Sequence, residues 1–130
     1  MFVTTNTLRR RKVFANPAYA SEAIDRLYRL QNLRPFFIFG FVIMPDHCHF
    51  LLNVPAPHTI SKLMNSYKTG LTFDIGIGSF WQPRFDLRLP ENSQNVLRYI
   101  HQNPVVAGLA ETPELYPWSS ASGKYDIAIL

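Results

Sequence analysis

The residues Phe36 to Met44 are apolar at nearly every position, run into Pro45-Asp46, and are followed by a second apolar stretch, Phe50 to Val54. A membrane-spanning helix needs roughly 20 such residues, so the run is too short to cross a bilayer. It suits a strand covered on both faces or one in the middle of a sheet. Pro45-Asp46 fits the centre of a tight turn, which makes the two stretches a hairpin at the heart of the fold. The remaining elements must therefore supply covering layers for a sheet.

Those elements can be read in order. Phe2 to Thr7 is short, β-branched and aromatic, as a first strand should be. Asn16-Pro17 has the form of a helix start, with Asn at the cap and Pro in the first turn. Ala23, Ile24, Leu27 and Leu30 then recur at helical spacing until Pro35 closes the helix just past Leu33. The strand pair, taken as Phe36–Met44 and His47–Val54, follows. A second helix from about Thr59 carries Ile60, Leu63, Met64, Tyr67 and Leu71 on one face. Gly76 and Gly78 break it, and Phe80 to Leu89 alternates as a fourth strand, with Pro83 arguing for an edge position. A third helix from Asn92 or Ser93 to Asn103 buries Val96, Leu97 and Ile100, with Pro104 as its expected end.

Strand, helix, strand, strand, helix, strand is the order of the ferredoxin-like split βαβ arrangement, an α+β fold. The expectation is one domain over residues 1–130: a four-stranded antiparallel sheet, two packing helices, and an added C-terminal helix. The segment after Leu109, with Tyr116-Pro117-Trp118, is expected to lie irregularly over the core. With 130 residues, 47% of them hydrophobic, there is enough apolar surface for a real core. There is no signal-peptide pattern, and the lone Cys48 cannot form an internal disulfide, so the reading is a soluble, cytoplasmic protein.

The hairpin also carries chemistry. In a strand, side chains alternate faces, so His47 and His49 leave by one face while Cys48 enters the core by the other. Two imidazoles on one face can share a metal ion. Two histidines alone are weak grounds, and satisfied or surface histidines give the same pattern. On the third helix Tyr99 and Asn103 stand four residues apart and so project side by side. A tyrosine hydroxyl can attack a phosphorus atom when a divalent cation polarises the phosphate. Asn103 would then complete the coordination begun by the histidines, a nitrogen and oxygen set that suits Mg²⁺ or Mn²⁺. Against this, a tyrosine beside an apolar stripe is commonly a core-edge residue, and Asn before Pro is an ordinary helix end. His58 and His101 have no evident partner and read as surface residues.

Thirteen Lys and Arg against nine Asp and Glu give a net charge of +4, which favours a polyanionic partner. The run Arg9-Arg10-Arg11-Lys12 reads equally as a solvated loop or a phosphate clamp. Arg84, Arg88 and Arg98 flank the later candidate residues, while much of the acid lies in Glu22, Asp25, Glu111 and Glu114.

Four separated motifs, in one order, carry a resemblance: Val42-Ile43-Met44-Pro45-Asp46-His47-Cys48-His49; Phe80-Trp81-Gln82-Pro83-Arg84-Phe85; Arg98-Tyr99-Ile100-His101-Gln102-Asn103-Pro104-Val105-Val106-Ala107-Gly108-Leu109; and Tyr116-Pro117-Trp118-Ser119-Ser120. Together they resemble the REP-associated tyrosine transposases, a group within the HUH class of single-tyrosine transposases. The resemblance implies a metal-dependent endonuclease and strand transferase acting on single-stranded DNA beside a REP-type hairpin, through a 5′-phosphotyrosine intermediate. By position it makes Tyr99 the nucleophile and His47, His49 and Asn103 the metal ligands. It also implies a monomer with the tyrosine helix folded back in cis, a dimer being the alternative, in a nucleoid-associated bacterial setting. Cys48 replaces the commoner Val or Ile between the histidines.

With DNA as the partner, Arg84 and Arg88 are expected to meet phosphates near the site. Lys62, Lys68 and the run Arg9, Arg10, Arg11, Lys12 are expected to grip the hairpin stem or a flanking strand. Phe80 and Trp81 are candidates for stacking on bases. The competing readings are a nucleic-acid-binding module of the same fold that has lost catalysis, and a structural zinc protein, which would need a fourth ligand the sequence does not offer.

Overall fold

The computed structural model describes all residues, 1–130. Its strands are β1 (Phe2–Thr7), β2 (Phe37–Met44), β3 (His47–Asn53) and β4 (Trp81–Arg88); its helices are α1 (Pro17–Leu33), α2 (Ile60–Ile75) and α3 (Ser93–Val106). The sheet is wholly antiparallel in the order β2-β3-β1-β4, the split βαβ topology expected from the element order. No helix is long and apolar enough to cross a membrane.

One face of the sheet is covered by α1 and α2. Their stripes, Ala20, Ala23, Ile24, Leu27 and Leu30 on α1 and Leu63, Met64, Tyr67 and Leu71 on α2, pack with Val3, Ile38, Phe41, Ile43, Cys48, Phe50 and Leu52. Both helices start where side chains can satisfy free backbone N–H groups: Asn16 accepts from Ala18 N and Thr59 from Lys62 N. Gly76, at φ 73°, ends α2 in the left-handed conformation that a side chain would oppose. Two polar ties hold the helices together. Tyr67 Oη donates to Ala23 O at 2.8 Å, and Arg26 forks onto Asp74 at 2.7 Å and 2.5 Å.

The opposite face carries α3, held by a smaller cluster of Val42, Met44, Leu51, Ile100 and Tyr116. Gly40 faces this helix: a Cβ there would lie 2.3 Å from Leu97 Cδ1, so that side chain would have to shift. Pro104 does not end α3, as the sequence suggested; the helix continues to Val106. A proline so near the C-terminus forfeits only the bond to Ile100 O, and its ring is buried, so packing outweighs the lost donor.

The strand β2 is at the edge of the sheet rather than in its middle, and the C-terminal segment explains how so apolar a strand is tolerated there. Ile43 N donates to Trp118 O at 2.8 Å, Phe41 N to Ser120 Oγ at 3.0 Å, and Ala128 N to Ile38 O at 2.8 Å. Tyr116 Oη reaches Ile43 O at 2.7 Å. The open edge is thus occupied by the chain itself, which removes a template for aggregation.

Candidate functional site

Register places the candidate residues. Val42, His49, Thr4 and Asp86 are aligned across the four strands, and Met44, His47 and Asn6 across three of them. Alternation sends His47, His49 and Leu51 to the α3 face and Cys48, Phe50 and Leu52 to the core beneath α1 and α2. The two imidazole rings lie 4.7 Å apart, centroid to centroid.

Each ring is held from behind. His49 Nδ1 is 2.8 Å from Thr4 Oγ1, its neighbour in register, and His47 Nδ1 is 2.6 Å from Asp46 Oδ1. A carboxylate only accepts, so His47 carries its proton on Nδ1 and presents Nε2 as a lone pair. His49 does the same when Nδ1 donates to Thr4. This is the arrangement in which metal-ligating histidines are found, the far nitrogen tied down and the near one free. Burial, then the charges of His47 and Arg10, pushes His49 down to about 3, and burial lowers His47 despite the opposing pull of Asp46. Both are neutral at neutral pH, as ligation requires. No third His, Cys, Asp or Glu joins them in a ligating cluster. A cation here would take its other ligands from oxygens, and Asn103 lines the same cleft, so the donor set fits one.

Tyr99 belongs to the same chain and reaches the same place. Its ring is 5.6 Å from that of His49 and 6.1 Å from that of Phe2, itself 5.4 Å from His49. The buried neighbour Ile100 anchors α3 on β2 and β3, while Tyr99 is 54% exposed. Phe2, Thr4, Asn6, Arg10, Asp86 and Arg88 complete the walls of the cleft.

Among the basic residues expected to meet DNA, Arg10 and Arg88 line this cleft. Arg84 is exposed on β4 outside its lining, and Arg9, Arg11 and Lys12 are exposed in the loop after β1. Both Arg9 and Arg10 have φ of 55°, a left-handed backbone costing about 1–2 kcal/mol per residue with a side chain. Arg10 Nε donates to Asp46 Oδ2 at 3.0 Å and Nη1 to Asn6 Oδ1 at 3.1 Å. Lys62 and Lys68 are on α2, across the sheet from the histidines. Lys68 donates to Gln82 O at 2.6 Å and lies over the Trp81 ring, in a polar groove between α2 and β4.

Three expectations change. Phe80 is fully buried and Trp81 packs on Phe14 and Phe80, so neither is a free platform for a base. His101 is half-buried and bonded to Ser120 Oγ at 2.8 Å, not a solvated surface residue. Asp46, Thr4, Asn6, Asp86 and Phe2 were missed as site residues. Asp46 carried a signal, a carboxylate adjoining a histidine at a turn, whereas Thr4 and Asn6 become visible only through strand register.

Comparisons with known proteins bear on the family and the fold. The family model described as "Transposase IS200 like" matches residues 2–103. The chain is 27% identical, over 97% of its own length and 81% of the relative's, to the REP-associated tyrosine transposase of Escherichia coli strain K12. A REP-associated tyrosine transposase solved bound to a REP hairpin superposes with a TM-score of 0.79 at 27% identity, covering 96% of this chain and 81% of that one. A candidate transposase of Deinococcus radiodurans R1, 18% identical, shares the fold at a TM-score of 0.58 over 78% of this chain and 87% of that one.

Proposed function

This chain belongs to the IS200-like transposase family, and from that membership we propose that it is a metal-dependent single-strand DNA endonuclease and strand transferase with Tyr99 as its nucleophile. The observation that carries the proposal is the meeting of one phenol and two back-tied imidazoles in one cleft of one chain.

His47 Nε2, His49 Nε2 and the Asn103 side-chain oxygen would hold Mg²⁺ or Mn²⁺, which would supply positive charge to polarise a bound phosphodiester. Arg88, exposed at the wall of the cleft, contacts a neighbouring phosphate, while Arg10 adds positive charge from its place against Asp46 and Asn6. Tyr99 Oη attacks phosphorus, forming the O–P bond as the bond to the 3′ oxygen breaks. The phenol proton is lost to solvent and the departing 3′ oxygen gains one, leaving a 3′ hydroxyl and a 5′-phosphotyrosine. One diester has replaced another, so the step is reversible and a second 3′ hydroxyl can take up the strand.

The substrate is single-stranded DNA next to a REP-type hairpin, a reading supported by the hairpin-bound relative. With Tyr99 beside His49 of its own chain, each copy acts as a monomer. The test is cleavage of an end-labelled hairpin oligonucleotide with a single-stranded flank. Cutting is expected in Mg²⁺ or Mn²⁺, none in chelator, and none for His49→Ala. Binding without cutting in any metal would instead support the non-catalytic DNA-binding module.

A further inference from the structure

The two histidines are held by unequal means. His49 lies within β3, buried, with its Nδ1 partner supplied by the adjacent strand. His47 is the first residue of β3, beside the turn, and its partner is the side chain of the turn residue Asp46. A carboxylate at a turn has a free rotamer of its own, so something must fix it. That something is Arg10. Its Nε donates to Asp46 Oδ2 at 3.0 Å while Oδ1 of the same carboxylate meets His47 Nδ1 at 2.6 Å, and Nη1 is pinned by Asn6 Oδ1 at 3.1 Å. Arg10 Nη2 also lies 3.5 Å from His47 Nδ1, but the carboxylate at 2.6 Å has the prior claim on that nitrogen's proton.

The backbone shows what this placement requires. Arg9 and Arg10 both adopt φ of 55°, where glycine or asparagine would be at ease, and these are the only residues other than glycine in the chain to do so. The loop is stitched to the turn at the same point: the Thr7 hydroxyl shares its proton between Arg11 O at 2.7 Å and Asp46 O at 3.0 Å, and Thr7 N donates to Asp46 O at 3.0 Å. An exposed loop held in a costly conformation, with its arginine forked onto Asn6 of the cleft wall and Asp46 behind His47, is a device for orientation.

We propose that Arg10 is a positioning residue: through Asp46 it fixes the ring orientation and tautomer of His47, so that Nε2 faces the cleft. The inference deepens the reading of the cleft as a nuclease centre and rests on it for its consequence, but it is testable without metal, DNA or turnover.

The experiment is nitrogen NMR of the histidine rings in the metal-free protein, at a pH above the ordinary imidazole range. In the wild type His47 should be a single form protonated on Nδ1. Arg10→Lys keeps the charge but lacks the fork, and Arg10→Gly relieves the left-handed strain. Each should turn His47 into a mixture with substantial Nε2–H form, as should Asp46→Ala, with His49 unchanged. Arg10→Gly should not lower the melting temperature, so the change is not one of folding. Should the glycine variant fail to fold, Arg10→Lys carries the test alone. Mn²⁺ binding should weaken about tenfold in Arg10→Lys, where the charge near the site is unaltered. A His47 that stays wholly Nδ1–H in the Arg10 variants while Asp46→Ala alters it would overturn the proposal, because Asp46 would then suffice. Absence of cleavage by a wild type with the stated tautomers would reject the nuclease reading and leave the positioning role standing.

Discussion

At the scale of single residues, the cleft depends on what stands behind each reactive atom. His49 offers a clean case because Thr4 supplies its only polar tie at Nδ1. Thr4→Val keeps the shape and removes the hydroxyl, freeing the ring to adopt the other tautomer. Calorimetric titration should show Mn²⁺ affinity falling by about 10-fold, within the range for partners of metal-binding histidines. The alternation of a strand put His47 and His49 on one face and the four-residue step of a helix put Tyr99 beside Asn103, but it was the resemblance to a transposase family, not the spacing, that singled them out. Thr4 was not legible, because only register pairs it with His49. Nor was it possible to choose Arg10 from a run of four cations, since a left-handed φ at an arginine leaves no mark in composition.

At the scale of elements, the sheet is clasped by two different joints. Between α1 and α2 the Arg26–Asp74 fork is largely shielded from solvent, and its hydrogen bonds, opposed by burial, hold Asp74 below the usual carboxylate range. A depressed carboxyl stabilises the fold above its unfolded value, about 3.9, and this contribution is lost as pH falls through the folded value. Asp74→Asn should therefore cost about 1–2 kcal/mol near neutrality. Urea melts should show the gap between variant and wild type closing as the solution is acidified.

The second joint is Ser120, whose Oγ accepts from Phe41 N, donates to Phe41 O and meets His101 of α3. Ser120→Ala leaves the Phe41 amide buried without a partner and unties α3. A loss of about 1–3 kcal/mol is expected by denaturant melting, with faster amide exchange along α3 and the β2 edge. Helix and strand identities followed from periodicity and caps. The use of residues 116–128 to cover an edge did not, because Trp118 O and Ala128 N are backbone groups without a sequence signature and nothing local assigns the Ser120 and Tyr116 hydroxyls their partners on β2.

For the whole molecule, the separation of basic residues by the sheet is the main consequence of the topology. Arg10 and Arg88 share the cleft with Tyr99, while Lys62 and Lys68 lie beyond α2 on the other face. DNA contacts made there would be phosphate contacts remote from the cut. Lys62→Ala with Lys68→Ala should weaken hairpin binding and lower its salt dependence by about 2 in slope, while cleavage of bound DNA at saturation remains intact. Fluorescence anisotropy across a salt series measures the first and single-turnover cleavage the second. The fold was readable as a whole because element order, unlike side-chain aim, is written in local patterns. The return of α3 onto its own sheet, with Ile100 buried against Val42, Met44 and Leu51, is a matter of long-range packing that no local pattern records.

The most direct measurement is intact-protein mass spectrometry after incubation with Mn²⁺ and a hairpin oligonucleotide bearing a single-stranded flank. We expect a species heavier by the mass of the strand fragment carrying the 5′ phosphate, mapped to Tyr99, and no such species from Tyr99→Phe. An equal mixture of Tyr99→Phe and His49→Ala should also give none, since each cleft is built within one chain. An adduct that persists in Tyr99→Phe, or that maps to another residue, would contradict the account.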